Sequence, residues 1–156
     1  MPDHHLAQLN VGRLLAPPGD PRVAEFIDNL DRVNAVAERM AGFVWRLQSD
    51  TGNATDLRFE GDPNTIMNMS VWSDAEALQV YVFQTIHAQF YRKRANWFQP
   101  MDKPHFVMWW VPAGHRPTID EAAERLADLQ ENGPSERAFG WAELPKSDVW
   151  REARCA

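Results

Sequence analysis

Two ionisable side chains lie on the apolar side of a segment that is predicted to be a helix. The segment is VYVFQTIHAQFYRKRANWF, residues 80–98. At about 100° per residue, His87 and Arg94 share one broad side with most of its apolar residues. The ordinary pKa of an imidazole lies close to physiological pH, so a histidine that faces a cavity can serve as a general base, a general acid or a metal ligand. The pattern therefore predicts His87 as a catalytic residue.

The aromatic residues around His87 and the cationic Arg94 suit a small-molecule site. The predicted substrate-binding residues on this helix are Phe83, Phe90, Tyr91 and Arg94. Structural roles are the alternatives. His87 would bond a backbone carbonyl or Asn68 and complete the core, because an unpaired buried imidazole costs about 1–3 kcal/mol. Arg94 would lay its stem on apolar surface or pair with Asp102.

Two asparagines are predicted inside strands, where this residue type is disfavoured. Asn10 lies in HLAQLNVGRL and Asn68 in TIMNMSVW. An amide has several hydrogen-bonding groups to satisfy, so the pair would suit a ligand carbonyl or dioxygen chemistry. We therefore predict both as catalytic residues, in a substrate pocket with walls formed by Trp45, Trp72 and Trp109. The alternative is that both asparagines face water or the seam of a dimer.

The elements that must position these residues follow from hydrophobic periodicity. Strands are predicted at HLAQLNVGRL, FVWRLQSD, TIMNMSVW and HFVMWWVP. A first helix is predicted from Asp20–Pro21 to Gly42, because an acidic cap followed by proline suits a helix start. A second helix starts at the capping box Ser73–Glu76. A third starts at the capping box Thr118–Glu121 and ends at NGP.

The predicted order is β-α-β-β-α-β, followed by one more helix. This order is typical of an α+β ferredoxin-like sandwich, a four-stranded antiparallel sheet with both long helices on one face. The domain is predicted at residues 1–140 and a C-terminal tail at residues 141–156. The second sheet face carries large apolar residues such as Trp45 and cannot be left to water. We therefore predict a homodimer that packs sheet to sheet.

Composition narrows the function classes. The net charge of −6 disfavours nucleic acid as a partner. The single cysteine, Cys155, excludes an intrachain disulfide and a cysteine zinc cluster. The sequence has no phosphate loop, no H-E-x-x-H and no EF-hand pattern, so no metal site is predicted. Neither a signal peptide nor a membrane span is evident, and we expect a cytoplasmic protein without a membrane partner.

Five stretches together resemble a bacterial domain-of-unknown-function family: HLAQLNVGRLLAP, GFVWRLQ, NMSVW, RKRANWF and WWVPAGHRPT. The resemblance covers roughly residues 5–140. That family is placed in the dimeric α/β-barrel superfamily, beside the antibiotic-biosynthesis-type monooxygenases. The resemblance implies a ferredoxin-like dimeric α/β barrel. It also implies a monooxygenase-like oxidoreductase that acts on an apolar or aromatic small molecule, with no cofactor predicted.

Haem is the alternative cofactor that the resemblance leaves open. Haem-degrading relatives use an asparagine on the first strand, which Asn10 matches. Their helical tryptophan falls at Tyr81 and their histidine at Tyr91, whereas His87 lies one turn earlier. In this alternative His87, or else Tyr91, would be the axial ligand of a haem-binding protein or enzyme. A third interpretation is a non-catalytic dimeric ligand-binding module, which the absence of an enclosed pocket around His87 would favour.

Overall fold

Four strands and five helices form the part of the chain that the computed structural model describes, residues 3–48 and 64–144. The strands are β1 His4–Arg13, β2 Phe43–Arg46, β3 Thr65–Trp72 and β4 Phe106–Pro112. The helices are α1 Ala24–Asp28, α2 Leu30–Arg39, α3 Ala75–Gln84, α4 Ile86–Arg92 and α5 Ile119–Asn132. Short 3-10 helices lie at Pro21–Val23, Arg94–Asn96 and Trp141–Glu143.

The strands form one antiparallel sheet in the order β2-β3-β1-β4. With four strands, two central positions for β1 and β3, and helices in the connections, this is the split βαβ arrangement. The predicted α+β ferredoxin-like class is therefore confirmed. In the register of the sheet, Asn10 lies opposite Asn68 on one side and opposite Phe106 on the other.

One face of the sheet is apolar and packs against α5; we call it the closed face. Its apolar strand residues are no more than 4% exposed: Ala7, Leu9, Val11, Met67, Met69, Val71, Val107, Trp109 and Val111. The spacing of Ala122, Leu126 and Leu129 places them on one stripe of α5, and all three are buried in the same core. The third predicted helix thus supplies the cover for this face.

The closed face bears on the predicted homodimer. That prediction depends on a sheet face that needs a second copy to shield it from water. Within one chain the face is already buried, with α5 packed on it and Trp45 and Leu47 packed against the same core. Dimerisation stays a prediction, which light scattering would test, but an exposed sheet no longer provides its physical reason.

The opposite face of the sheet packs against α1 to α4; we call it the helix face. It carries two apolar clusters. The Trp72 cluster joins Leu6, Trp72, Met108 and Trp110 of the sheet to α2 and α3. The Trp97 cluster joins Leu14, Ile66 and Trp97 to residues of the 3-10 turn and α1, among them Val23 and Phe26.

The first predicted helix is divided into shorter pieces. Asp20 caps its start as predicted, and its side chain accepts a hydrogen bond from the backbone N–H of Arg22 at 2.8 Å. At Asn29 the backbone leaves the helical region (φ −102°, ψ 1°), which separates α1 from α2. The helix ends at Arg39, before the predicted Gly42, which has a φ of 91° and turns the chain toward β2.

The second predicted helix differs in its start and in its continuity. Asp74, not Ser73, is the N-cap, because Oδ1 of Asp74 accepts a hydrogen bond from the backbone N–H of Ala77 at 2.7 Å. Thr85 is extended (φ −119°, ψ −171°) and separates α3 from α4. One non-helical residue changes the direction of every later side chain, so a single helical wheel over residues 80–98 is wrong.

The third predicted helix starts as expected. Oγ1 of Thr118 accepts a hydrogen bond from the backbone N–H of Glu121 at 3.1 Å. Within the described ranges, 3–48 and 64–144, no helix is long and apolar enough to cross a membrane.

The segment after α5 returns to the sheet. Phe139 forms an antiparallel bridge with Met108 of β4 and is fully buried. At the start of the predicted tail, Trp141 and Leu144 pack against the Trp72 cluster. Residues 145–156 lie outside the described residues, so a separate tail beginning at 141 stays a prediction.

Candidate functional site

A row of polar side chains crosses the middle of the helix face. Gln8 and Asn10 on β1 lie opposite Ser70 and Asn68 on β3. Because side chains alternate along a strand, all four share the face that bears the two apolar clusters. Gln8 and Ser70 are 4% and 7% exposed, whereas Asn10 and Asn68 are exposed. The row therefore has a buried end and an open end.

The open end of the row lies between the two apolar clusters. Along β1 and β3, the pair Asn10–Asn68 lies between the pair Leu6–Trp72, which belongs to the Trp72 cluster, and Ile66, which belongs to the Trp97 cluster. We call the solvent-facing gap above the two asparagines the cleft. The structure thus brings together two predicted catalytic residues, and it places them on the side that faces water rather than on the closed face.

The buried end of the row is a connected hydrogen-bond network. Nε2 of Gln8 donates to Oδ1 of Asn68 and to Oγ of Ser70, both at 2.7 Å. Nε1 of Trp72 also donates to Oγ of Ser70, at 2.9 Å. A buried indole N–H and a buried amide are both costly to leave unpaired, and one serine hydroxyl accepts from both.

A stack of rings leads from this network to the predicted catalytic histidine. The ring centroids of Trp72 and Tyr81 are 5.2 Å apart at 27°, and those of Tyr81 and His87 are 4.9 Å apart. Tyr81 is held in place by a hydrogen bond from its hydroxyl to the carbonyl of Val33 at 3.2 Å. Burial raises the pKa of the Tyr81 hydroxyl above its ordinary value, so this phenol stays protonated.

The contacts of His87 fix which of its two ring nitrogens is basic. Nδ1 lies 3.2 Å from the carbonyl oxygen of Val82. A carbonyl only accepts, so Nδ1 carries the proton and donates, and Nε2 of the neutral ring keeps its lone pair. Burial lowers the pKa of His87, and the Val82 carbonyl partly opposes that effect. The half-buried imidazole is therefore a neutral base at physiological pH, and the predicted bond to a backbone carbonyl is present as well.

Thr85 sets the position of His87 at the first turn of α4. Its hydroxyl donates to the carbonyl of Tyr81 at 2.6 Å and accepts from the backbone N–H of His87 at 3.2 Å. One side chain thereby ends α3 and caps α4. The break in the helix is a defined joint, and it places the imidazole against the ring of Tyr81.

Three predicted substrate-binding residues lie at the surface instead of on the packing side. Phe83 is 46% and Tyr91 is 37% exposed, and Arg94 is also exposed. The buried side chains of α3 include Tyr81 and Val82 instead. The expectation that Phe83, Tyr91 and Arg94 pack inward is therefore wrong, and any role for them in binding stays a prediction.

The exposed rings form a continuous rim. The ring of Phe83 lies 5.9 Å from that of Tyr91 and 5.1 Å from that of Trp141. Trp141 in turn stacks on Phe106 at 5.1 Å and 9°. Because Phe106 lies opposite Asn10 in the sheet, the rim reaches from α4 to the edge of the cleft.

Arg94 supplies positive charge at the end of this rim. Its guanidinium lies 4.1 Å from the ring centroid of Tyr91, and it donates to the carbonyl of that residue at 2.8 Å. Its contacts within the described chain are thus with Tyr91, whereas an ion pair with Asp102 was the alternative at the sequence level. Burial and the charge of Arg94 together lower the pKa of His105.

The three tryptophans that were predicted to wall one pocket do not share a wall. Trp72 lies on the helix face, whereas Trp45 and Trp109 pack in the core of the closed face. Trp109 is fully buried and donates to Oε2 of Glu121 at 3.0 Å. Strand alternation explains the separation, since Trp72 lies opposite Leu6 and Trp109 lies opposite the next residue of β1.

Phe90 also lies apart from the stack. It belongs to the side of α4 that packs on the Trp97 cluster, with its ring 5.8 Å from that of Trp97. Two residues that were not among the predicted site residues, Gln8 and Tyr81, link the site instead. The signal for Gln8 is its period-two spacing from Asn10, but the stacked position of Tyr81 depends on the break in the helix.

His115 has a structural partner. Its Nε2 lies 2.7 Å from Oε1 of Glu121, the residue whose other oxygen accepts from Trp109. This pair lies beside a depression of about 560 Å³ at the start of α5, lined in part by Trp110 and Arg125. Among the residues that the structure describes, no three histidine, cysteine, aspartate or glutamate side chains are grouped so as to hold a metal ion.

Comparison with known proteins gives the chain a family and a fold. The family model DUF3291, described as a domain of unknown function, matches residues 5–155. Among curated proteins, no sequence matches the chain.

Solved structures match the chain at low sequence identity. The NE2512 protein of unknown function from Nitrosomonas europaea is 18% identical with a TM-score of 0.51, and the match covers 76% of this chain and 99% of that one. SnoaB, a cofactor-independent oxygenase from Streptomyces nogalater, is 19% identical with a TM-score of 0.47, covering 72% and 95%. PA3566 from Pseudomonas aeruginosa is 14% identical with a TM-score of 0.49, covering 74% and 99%. The similarity to the NE2512 structure concerns the fold alone.

Proposed function

Since the chain belongs to the DUF3291 family, whose description leaves the function open, we propose an activity from its own side chains. The protein is a small-molecule enzyme that binds an apolar or aromatic substrate at the cleft and uses His87 as its acid or base. Asn10 and Asn68 orient the substrate. No cofactor takes part in the proposed reaction, which is of the monooxygenase type that the sequence resemblance implies.

The observation that carries the proposal is the state of the His87 imidazole. The bond from Nδ1 to the carbonyl of Val82 leaves Nε2 as the basic nitrogen, and burial lowers the pKa so that the ring is neutral at physiological pH. No described residue donates a hydrogen bond to Nε2. A neutral, oriented imidazole with an uncommitted nitrogen is the form that accepts a proton from a substrate.

The cleft would stabilise the negative charge that proton removal leaves on the substrate. When a phenol or an activated C–H group loses its proton, this charge develops on the substrate oxygen. The amides of Asn10 and Asn68 are exposed at the floor of the cleft and can donate hydrogen bonds to that oxygen. The exposed rings of Phe83 and Tyr91 would contact the flat part of an aromatic substrate. A deprotonated, electron-rich aromatic compound is also the species that dioxygen oxidises most readily.

The test compares two histidines. Oxygen consumption would be measured with a panel of phenols and aromatic ketones for the wild type, His87→Ala and His115→Ala. We expect His87→Ala to abolish turnover of whichever compound the wild type consumes. The control His115→Ala keeps its activity, because that histidine pairs with Glu121 beside α5. The thermal unfolding of His87→Ala should stay close to that of the wild type.

Two results would contradict the proposal. Turnover by His87→Ala at the wild-type rate would remove the imidazole from the chemistry. Loss of the folded state in His87→Ala would instead favour the interpretation in which His87 only completes the core through its bond to Val82.

Haem binding by His87 is the second candidate function, and one contact favours it. When a histidine binds a metal through one ring nitrogen, the other commonly donates a hydrogen bond to a carbonyl, which orients the ring. Nδ1 of His87 makes such a bond to the carbonyl of Val82. Tyr91 fits the ligand role less well, because the guanidinium of Arg94 lies over its ring at 4.1 Å. A Soret band on addition of hemin that His87→Ala removes would support this function, and a colourless protein that ignores hemin would count against it.

A further inference from the structure

Gln8 is the most deeply buried amide of the polar row. It is 4% exposed in the central strand β1 and lies opposite Ser70. Its Nε2 donates both of its hydrogens, one to Oδ1 of Asn68 and one to Oγ of Ser70, each at 2.7 Å. The Gln8 side chain is almost fully buried. It acts on the cleft through Asn68.

The neighbours of Gln8 hold the network in one place. The Trp72 indole donates to Ser70 at 2.9 Å, and its ring is fully buried between those of Phe43 and Tyr81. The opposite orientation of the Gln8 amide would turn its oxygen toward Asn68 and Ser70. Its two N–H groups would then give up the acceptors that each of them has at 2.7 Å in the observed orientation.

This network determines what Asn68 presents to a ligand. Its Oδ1 is engaged by Gln8, and an amide is planar, so Nδ2 points away from Gln8. Asn68 is exposed, and within the described chain its Nδ2 forms no hydrogen bond. Two N–H donors therefore face the cleft beside the exposed amide of Asn10, which lies directly opposite in the register. Opposed side chains on neighbouring strands are about 5 Å apart at Cβ, close enough to bind one small group together.

We infer that Gln8 is a positioning residue that turns the N–H donors of Asn68 toward the cleft, so that the cleft binds ligands through a hydrogen-bond acceptor, a carbonyl or phenolate oxygen. The location of the ligand rests on the proposed function, but the polarity of the site does not depend on any role of His87. With the aromatic rim beside it, the preferred ligand class is an aromatic ketone or phenolate.

The substitution Gln8→Glu tests whether Asn68 presents hydrogen-bond donors to the cleft because of its bond to Gln8. In its ionised form a glutamate has the same shape but only accepts, so Asn68 must reverse its amide and donate to Glu instead, which turns its oxygen to the cleft. The titrations are run at alkaline pH, because burial raises the pKa of a carboxyl group and the protonated form could still donate to Asn68. The hydroxyl of Ser70 can still accept from Trp72 while donating to the new carboxylate. Two probes of similar size distinguish the outcomes: 1-tetralone, which offers only an acceptor, and 1-aminonaphthalene, which offers N–H donors.

Binding of both probes would be measured by NMR titration in the wild type and in Gln8→Glu, each also carrying His87→Ala so that no turnover occurs. We expect the wild-type cleft to prefer 1-tetralone. In Gln8→Glu the ratio of the two dissociation constants should change by about tenfold or more in favour of 1-aminonaphthalene, the value of one hydrogen bond. Gln8→Met is the matched control: it cannot orient Asn68, so its ratio should lie between the other two.

An equal change in the affinities of both probes would mean that Gln8 is only structural, and binding of neither probe would overturn the assigned ligand class. The wild type alone provides a second test. Side-chain amide protons of Gln8 should exchange slowly and those of Asn68 fast, with the Asn68 signals shifting on addition of 1-tetralone. Protected Asn68 protons and exposed Gln8 protons would overturn the inference. Activity plays no part in these results, so they stand apart from the test of His87.

Discussion

The two faces of the sheet are built from alternate residues of the same strands, yet they differ in kind. The centre of the closed face consists of apolar strand residues that are no more than 4% exposed, and it is covered by α5. The helix face carries Gln8, Asn10, Asn68 and Ser70 between two apolar clusters, and its central pair is open to water. The comparison indicates that the closed face supplies stability and that the helix face can accept polar groups and a ligand.

The largest expected effect tests the structural role of the closed face. Trp109→Ala should lower the free energy of unfolding by about 3–5 kcal/mol, because it removes a fully buried indole and leaves a cavity. It also deprives Glu121 of a donor. Urea denaturation would measure the loss. Phe83→Ala, at an aromatic residue that is 46% exposed beside the helix face, is the control and should cost far less. Similar losses in both variants would mean that the closed face contributes no more to stability than the exposed aromatic residues do.

A smaller effect is expected where the helix face is itself buried. Ser70→Ala should cost about 1–3 kcal/mol, because the indole N–H of Trp72 loses the hydroxyl that accepts it while the ring stays fully buried. A double-mutant cycle with Trp72→Phe isolates the pair. The cost of Ser70→Ala should shrink when the indole N–H is absent, and strict additivity of the two losses would show that the bond contributes nothing.

Most of the fold could be predicted from the alternation of side chains along each strand. The period-two pattern places Asn10 and Asn68 on one face and Leu9 and Met69 on the other, and four strands with intervening helices predict the ferredoxin-like order that the structure has. The direction of each helical side chain could not be predicted in the same way. A helical wheel assumes about 100° per residue without interruption, and the extended conformation of Thr85 breaks that assumption.

The tertiary partner of an amphipathic helix is equally hard to predict from sequence. The apolar stripe of α5 is visible in the pattern, but nothing in the pattern states that the stripe packs on the sheet face opposite to α1–α4. That single contact decides whether the closed face needs a second copy. The absence of the predicted tryptophan wall has a different cause, since strand alternation alone puts Trp109 and Trp72 on opposite faces of the sheet.

A pH titration would test whether the imidazole of His87 is buried as a neutral group. The pKa of His87 is lowered by burial from its ordinary value of 6.5. The unfolded chain therefore binds a proton more readily than the folded one as the pH falls below 6.5. Stability from this group is complete above that pH and is lost as the pH falls toward the lowered pKa.

The measurement compares unfolding free energies of the wild type and His87→Asn between neutral and acidic pH. The difference between them should grow in the wild type's favour as the pH rises and should become constant above the ordinary pKa of histidine. The pKa of His105 is also lowered. The same measurement on His105→Asn therefore shows how much of the pH dependence of the unfolding free energy comes from His105. If His87→Asn left the pH dependence of the unfolding free energy unchanged, this imidazole would not be a buried neutral group.

The smallest expected effect on stability is at Asn10, next to Leu9, where a large effect is expected. Asn10→Ala removes an exposed amide whose side chain faces the cleft, so the free energy of unfolding should change by no more than about 0.5 kcal/mol. Leu9→Ala, at the adjacent and fully buried position on the closed face, should cost about 2–5 kcal/mol. Urea denaturation of both variants places the two faces on one scale. If Asn10→Ala were as destabilising as Leu9→Ala, the asparagine would be part of the core, and the cleft would lose the residue that makes its floor polar on the β1 side. If it is neutral, its presence in a central strand, where asparagine is disfavoured, points to a demand other than folding.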